Sequence, residues 1–144
     1  MSGMTEIVKT ITRLVVGFIV VFGSSVVLHG HLTPGGGFAG GAILACGFVL
    51  LLLAFGKKGA AEVLSESGAT AWDSFGAFTF LGIALVGYAG GAFFKNFLPL
   101  GTPFHLVSTG TVIWCNVAIG IKVGACLFAV YLVLAAFRPS DAES

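Results

Sequence analysis

The sequence predicts an all-α integral membrane protein of four transmembrane helices, with both termini in the cytoplasm, and three observations carry that reading. Of the 144 residues, 57% are hydrophobic and 9% are charged, against roughly 45 to 50% and 25% in an average soluble domain. A chain of this length buries only about two thirds of its surface when it folds in water, so this much apolar side chain needs lipid as its solvent. The formal charges also leave long gaps, from Leu14 to Gly56, from Ser74 to Phe94 and from Asn96 to Ile121. About 20 predominantly apolar residues suffice to cross the hydrocarbon core. Finally, the basic residues are unevenly distributed between the segments that join the gaps, which sets an orientation.

The first gap is long enough for two spans and is cut by His31-Leu32-Thr33-Pro34-Gly35-Gly36-Gly37. A proline followed by three glycines ends a helix. Span one therefore reads as 11–30, span two as 38–55, span three as 75–94 and span four as 111–137, all in one membrane domain over 1–144. Lys9 and Arg13 precede the first apolar run, as in a signal peptide. No small-x-small cleavage site follows and the next span begins at once, so the segment reads as a retained span. Four spans put both termini and the Lys57 to Asp73 connection on one side. Lys9, Arg13, Lys57, Lys58 and Arg138 lie on that side and Lys95 lies on the other, so the positive-inside rule assigns it to the cytoplasm. The 22 glycines point to a packed bundle, because glycine lets membrane helices approach closely. Gly87 and Gly91 in span three, and Gly120 and Gly124 in span four, have the four-residue spacing of a helix-packing face. Trp72, Tyr88 and Trp114 read as interfacial anchors.

Lys122 is the most informative residue. It falls near the middle of span four, where lysine is among the costliest residues to insert and must face a partner or a water-filled cavity. At 100 degrees per residue it shares a small-residue face with Thr111, Cys115, Ala118, Ala125 and Cys126, while Gly120 and Gly124 lie on nearly the opposite face. All six acidic residues, Glu6, Glu62, Glu66, Asp73, Asp141 and Glu143, fall in termini or in the cytoplasmic connection. A charged Lys122 is thus expected to take its counter-charge from another chain, or from a water chain that delivers protons. A neutral, desolvated lysine with a packing role is the alternative.

His31 opens the second constellation. Histidine ordinarily changes charge near neutral pH and can serve a proton path; a histidine that merely closes the turn is the other reading. Gly35, Gly37 and Gly40 match G-x-G-x-x-G, but the match follows a membrane helix and has no β-α-β unit around it, so nucleotide binding is rejected. The Pro34, Gly35, Gly36, Gly37, Phe38, Gly40 and Gly41 cluster reads as a structural turn at the membrane edge, where irregular backbone survives only against protein or water. His105 reads as a loop residue. Cys46, Cys115 and Cys126 lack C-x-x-C spacing and read as small packing residues, with no metal site or cofactor expected. The net charge of +1 gives no clustered basic face for nucleic acid. No nucleophile with a base and no carboxylate dyad stands out, so no catalytic centre is expected in this chain.

The strings GHLTPGGGFAGGAILA from Gly30 to Ala45, GTPFHLVSTGT from Gly101 to Thr111 and NVAIGIKVGA from Asn116 to Ala125 resemble the B subunit, the MnhB family, of Mrp-type multisubunit sodium/proton antiporters. The matching positions are His31, Pro34, Gly35, Gly36, Gly37, Phe38, Gly40 and Gly41 in the turn and Lys122 in the last span. Ala39 departs from the family, which commonly has glutamine there, and Trp114 and Cys115 fall in a stretch that is aliphatic in the family. The resemblance implies a multi-pass subunit of a prokaryotic inner-membrane complex. Its partners would be other membrane subunits, including ones like the antiporter subunits of respiratory complex I, together with lipid. Related subunits occur in membrane-bound hydrogenases and sulfur-reducing complexes, which makes a redox-driven ion pump the alternative assembly. Within any of these, the chain is expected either to line an ion path through Lys122 and His31 or to serve as a structural spacer.

Overall fold

The computed structural model describes residues 4–32, 34–61, 66–98, 101 and 109–136. Four helices follow one another: α1 Glu6–Leu28, α2 Gly36–Ala61, α3 Glu66–Ala89 and α4 Val112–Ala136. Each contains a stretch long and apolar enough to cross a membrane, namely Glu6–Leu28, Gly36–Gly56, Ser67–Ala89 and Val112–Ala135. The expected all-helical architecture with four apolar spans is what the structure has. Phe137, Arg138, Thr33, His105 and much of the connection before α3 lie outside the described residues.

The boundaries differ from the expected ones in ways that have physical causes. The first helix begins at Glu6, ahead of Ile11, because its opening turn satisfies its own polar groups. Lys9 Nζ donates to Glu6 Oε1 at 2.8 Å and Thr10 Oγ1 donates to the Glu6 carbonyl at 3.0 Å. It ends at Leu28, where the His29 N–H still donates to the Ser25 carbonyl. The chain then reverses through Gly35 and Gly36 at φ 151° and 82°, a region in which a side chain is strained. The apolar part of α2 stops at Gly56, whose φ of 74° and ψ of 177° break the helix.

The largest difference is in α3, which runs Glu66–Ala89 where 75–94 was expected. The expected start was set by the last formal charge, Asp73. That carboxylate is paired, as described below, so the helix runs through it without a break. At the far end Gly90 and Gly91 stop the helix, with Gly91 at φ 101°. Their N–H groups donate to the Gly87 and Tyr88 carbonyls. Lys95 Nζ donates to the Gly90 carbonyl at 2.9 Å, a cation placed on the negative end of a helix. Asn96 Oδ1 accepts from the Leu98 and Thr111 N–H groups, each at 3.2 Å, and so ties the connection to the start of α4.

In space the order is α1, α2, α4, α3: α2 packs against α1 and α4, and α3 packs against α4. Glycines make this possible. A side chain on Gly40 would strike Val27 and the Gly23 carbonyl of α1, and one on Gly41 would meet the Gly120 carbonyl of α4 at 2.6 Å. Gly120 lies near Val27 of α1 and the Gly37 carbonyl of α2, and Gly124 near the Gly41 carbonyl. A small core of Leu52, Ala69 and Phe128 closes the end where α2, α3 and α4 meet, with Phe48 packed on Phe128 at a ring separation of 5.7 Å. Much of each helix surface is left for lipid or neighbours.

Candidate functional site

Lys122 lies on the face of α4 that α3 covers. On α3, Ala69, Asp73 and Gly76 fall at i, i+4 and i+7 and so share one stripe. Ala69 is fully buried and Gly76 is buried. A side chain on Gly76 would meet the Ala118 carbonyl at 2.9 Å and the Lys122 backbone nitrogen at 3.0 Å. That absence of a side chain lets the two helices approach closely just beside Asp73. The result is an ion pair between spans: Lys122 Nζ donates to Asp73 Oδ1 at 2.9 Å. Asp73 is seven residues beyond Glu66, about 10 Å into α3 at 1.5 Å per residue. Lys122 is ten residues beyond Val112, about 15 Å into α4. Both positions fall within stretches long and apolar enough to cross a membrane, Ser67–Ala89 and Val112–Ala135.

This geometry corrects one expectation. The counter-charge of Lys122 was expected from another chain or from a water chain that delivers protons, with every acidic residue in the termini or the cytoplasmic connection. Asp73 instead sits within α3 and supplies it from the same chain. Ala118 and Ala125 are buried on either side of Lys122, as its small-residue face predicts. The pair itself is not enclosed: the lysine side chain is 46% and the aspartate 31% exposed at the surface of the chain. A groove of about 360 Å³ runs from Asp73 and Thr70 along α4 between Cys126 and Leu134.

The second constellation forms elsewhere. His31 is half-buried in the α1–α2 turn, with its Nδ1 buried, and His29 Nδ1 lies 2.9 Å from the Ser25 carbonyl. Gly30 touches Gly36 so closely that no side chain fits, and the Asn116 amide of α4 packs against both. Gly37 in turn lies against the Asn116 carbonyl and Ile119. The Pro34 to Gly41 cluster thus closes a turn onto α4, while Phe38 points outward, 66% exposed. Asn116 precedes Lys122 by six residues, about 9 Å along the helix, and belongs to the α2-facing side. The structure brings Lys122 to Asp73, and holds His31 in the turn at the other seam.

Two packing expectations also change. Gly91 lies past the end of α3, in a turn with nothing within 4 Å of a side chain there among the described residues, and Gly87 is buried against the backbone of Phe94 and Lys95. Among the described residues neither meets another helix, because the chain folds back under α3 after Gly90. Cys46, Cys115 and Cys126 are free thiols. Sequence reasoning missed Asp73 and Gly76. Their signal was the Ala69, Asp73, Gly76 spacing, which a boundary drawn at the charge concealed.

Four apolar helices, glycine-lined seams and an ion pair between two of them define a helical membrane protein. Over residues 7–134 the chain matches the domain related to the MnhB subunit of the Na+/H+ antiporter, and it belongs to that family. An uncharacterised protein of Methanocaldococcus jannaschii is 31% identical over 126 residues, covering 83% of this chain and 48% of its own length. A protein named antiporter subunit mnhB2 in Staphylococcus aureus is 43% identical over 58 residues, covering 40% of this chain and 41% of that protein. Among solved structures, a chain of the membrane-bound sulfane sulfur reductase, an archaeal respiratory membrane complex, is similar at a TM-score of 0.76 and 31% identity. The match covers 88% of this chain and 56% of the other. The chain spans about half the length of the relatives it matches.

Proposed function

We propose that this chain is an integral subunit of a multisubunit cation/proton (Na+/H+) antiporter complex of a prokaryotic inner membrane, and that it contributes to the ion or proton path. The single observation that carries the reading is the Lys122–Asp73 pair, held 2.9 Å apart inside two spans and open at the side of the chain. In a low-dielectric setting, charges a few ångströms apart act strongly on one another. A proton or cation that reaches the Asp73 carboxylate competes with Lys122 for it, and the released ammonium then repels the next cation. His31, in the α1–α2 turn, is the second proton-carrying candidate of the path. Family membership supports the antiporter assembly, and the basic residues at 9, 13, 57, 58 and 138 support cytoplasmic termini. The chain acts here without a catalytic centre or cofactor of its own.

The test is exchange in inverted membrane vesicles, read by a pH-sensitive dye, with subunit retention scored in the same preparation. Lys122→Ala abolishes sodium/proton exchange while the complex still assembles. Full exchange in an assembled mutant complex would reduce this chain to a structural spacer. The likeness to the sulfane sulfur reductase chain favours a second reading, in which the same subunit belongs to a redox-driven ion pump. Mild-detergent purification separates the two, because iron–sulfur or nickel–iron chains accompany the subunit only in the redox assembly.

A further inference from the structure

The ion pair is open on one side, and that opening has a chemistry. An ammonium carries three donors and no acceptor. Among the described residues Lys122 donates to Asp73 Oδ1, and its α4 neighbours Ala118, Ala125 and Cys126 offer no oxygen side chain. With nearly half the lysine side chain exposed at a depth where water is scarce, the remaining donors need an acceptor that acyl chains cannot provide. Beside the pair, the groove between α3 and α4 continues past Cys126 and Ala129 to Val130 and Val133. Its walls are apolar except at the Asp73 end. Thr70 and Asp73, the latter paired with Lys122, stand at one end of this apolar furrow, the imprint of a helix that is apolar along its length and polar at one level.

We infer that this α3–α4 face receives a transmembrane helix of a different subunit, and that the helix presents an acceptor side chain, a carboxylate, amide or hydroxyl, to the Lys122 ammonium. The inference rests on the multisubunit reading above and names the surface and the partner chemistry. A second copy of this chain could set its own Asp73 against Lys122 across a twofold contact, and the identity of the crosslinked product separates that arrangement from the one inferred.

The experiment places the photoreactive residue benzoylphenylalanine at Val130 in the purified complex, with a second probe at Val21 on the outer face of α1, 71% exposed, for comparison. The expected result is one covalent product joining Val130 to a single other subunit. Mass spectrometry should map the attachment to an apolar helix with an acceptor side chain about two turns away, because Lys122 lies eight residues, about 12 Å, along α4 from Val130. In the Lys122→Met, Asp73→Leu double variant the yield of that product falls about tenfold, as for the loss of one hydrogen bond to a charged group, while the Val21 product is unchanged. Products with lipid alone, with a second copy, or with a helix that lacks an acceptor overturn the inference and leave the multisubunit reading standing. A chain that purifies without any other subunit overturns both.

Discussion

The two seams of α4 are built on different principles. Towards α2 the contact is backbone on backbone, with Gly37 and Gly41 set against the Asn116 and Gly120 carbonyls and Gly124 against the Gly41 carbonyl. That seam is fixed by shape alone, and a membrane offers it good conditions, since close packing is what holds helices together in lipid. Towards α3 the contact is part shape and part charge: Ala69 and Gly76 flank the Lys122–Asp73 pair. One helix therefore carries a dry seam through positions 116, 120 and 124 and a charged seam through 118, 122 and 125. The difference teaches that the α2–α4 seam is held by shape, whereas the α3–α4 seam also carries a charge pair that is open at the surface of the chain.

Three substitutions break or sharpen this contrast. The largest effect is expected at the dry seam. Gly41→Leu drives a side chain into the Gly120 carbonyl, where no flexible group can yield, and no folded subunit should be recovered from membranes in mild detergent. Gly76→Ala is smaller. Its added carbon presses on the Ala118 carbonyl and the Lys122 backbone, which costs about 1–3 kcal/mol by the usual measure of overpacking. Thermal unfolding in detergent reads that loss, and exchange should fall while the subunit still assembles. Recovery of wild-type exchange in this variant would show that the pair tolerates a wider separation. Smallest of all is Gly82→Ala, where nothing lies within 4 Å among the described residues. Replacing a helical glycine there should leave exchange intact and stabilise by up to about 1 kcal/mol, measured in the same melt.

Much of the architecture could be read before any coordinates. Composition and gaps in the charge pattern gave the number of spans, and Pro34 with the three glycines after it located the first reversal. That Gly120 and Gly124 share one face followed from their spacing, since four residues apart is about one helical turn. Lys122 stood out for the same reason that it matters, as a lone cation in an apolar run. Its partner did not stand out. Asp73 lies at the edge of a charge-free stretch, and a rule that ends a span at a charge cannot see a carboxylate whose charge is balanced from another helix. Pairing is a property of two segments 49 residues apart, and periodicity within one segment carries no trace of it. The fate of Gly91 was hidden in a similar way, because a glycine spaced for helix packing and a glycine that ends the helix look alike until the following residues turn back.

Gly56 has a consequence for how the protein fits its bilayer. Its φ of 74° and ψ of 177° belong to a region of backbone space that is essentially reserved for glycine. The straight apolar rod of α2 is therefore Gly36–Gly56, 21 residues, or about 31 Å at 1.5 Å per residue. That length equals the hydrocarbon thickness of an ordinary membrane, roughly 30 Å. A helix that ends by sequence hydrophobicity can lengthen by a turn when the membrane thickens, but this one ends at a fixed bend. A thicker bilayer leaves this span short, a mismatch met by local thinning of the lipid, by snorkelling of flanking residues or by association with neighbouring helices.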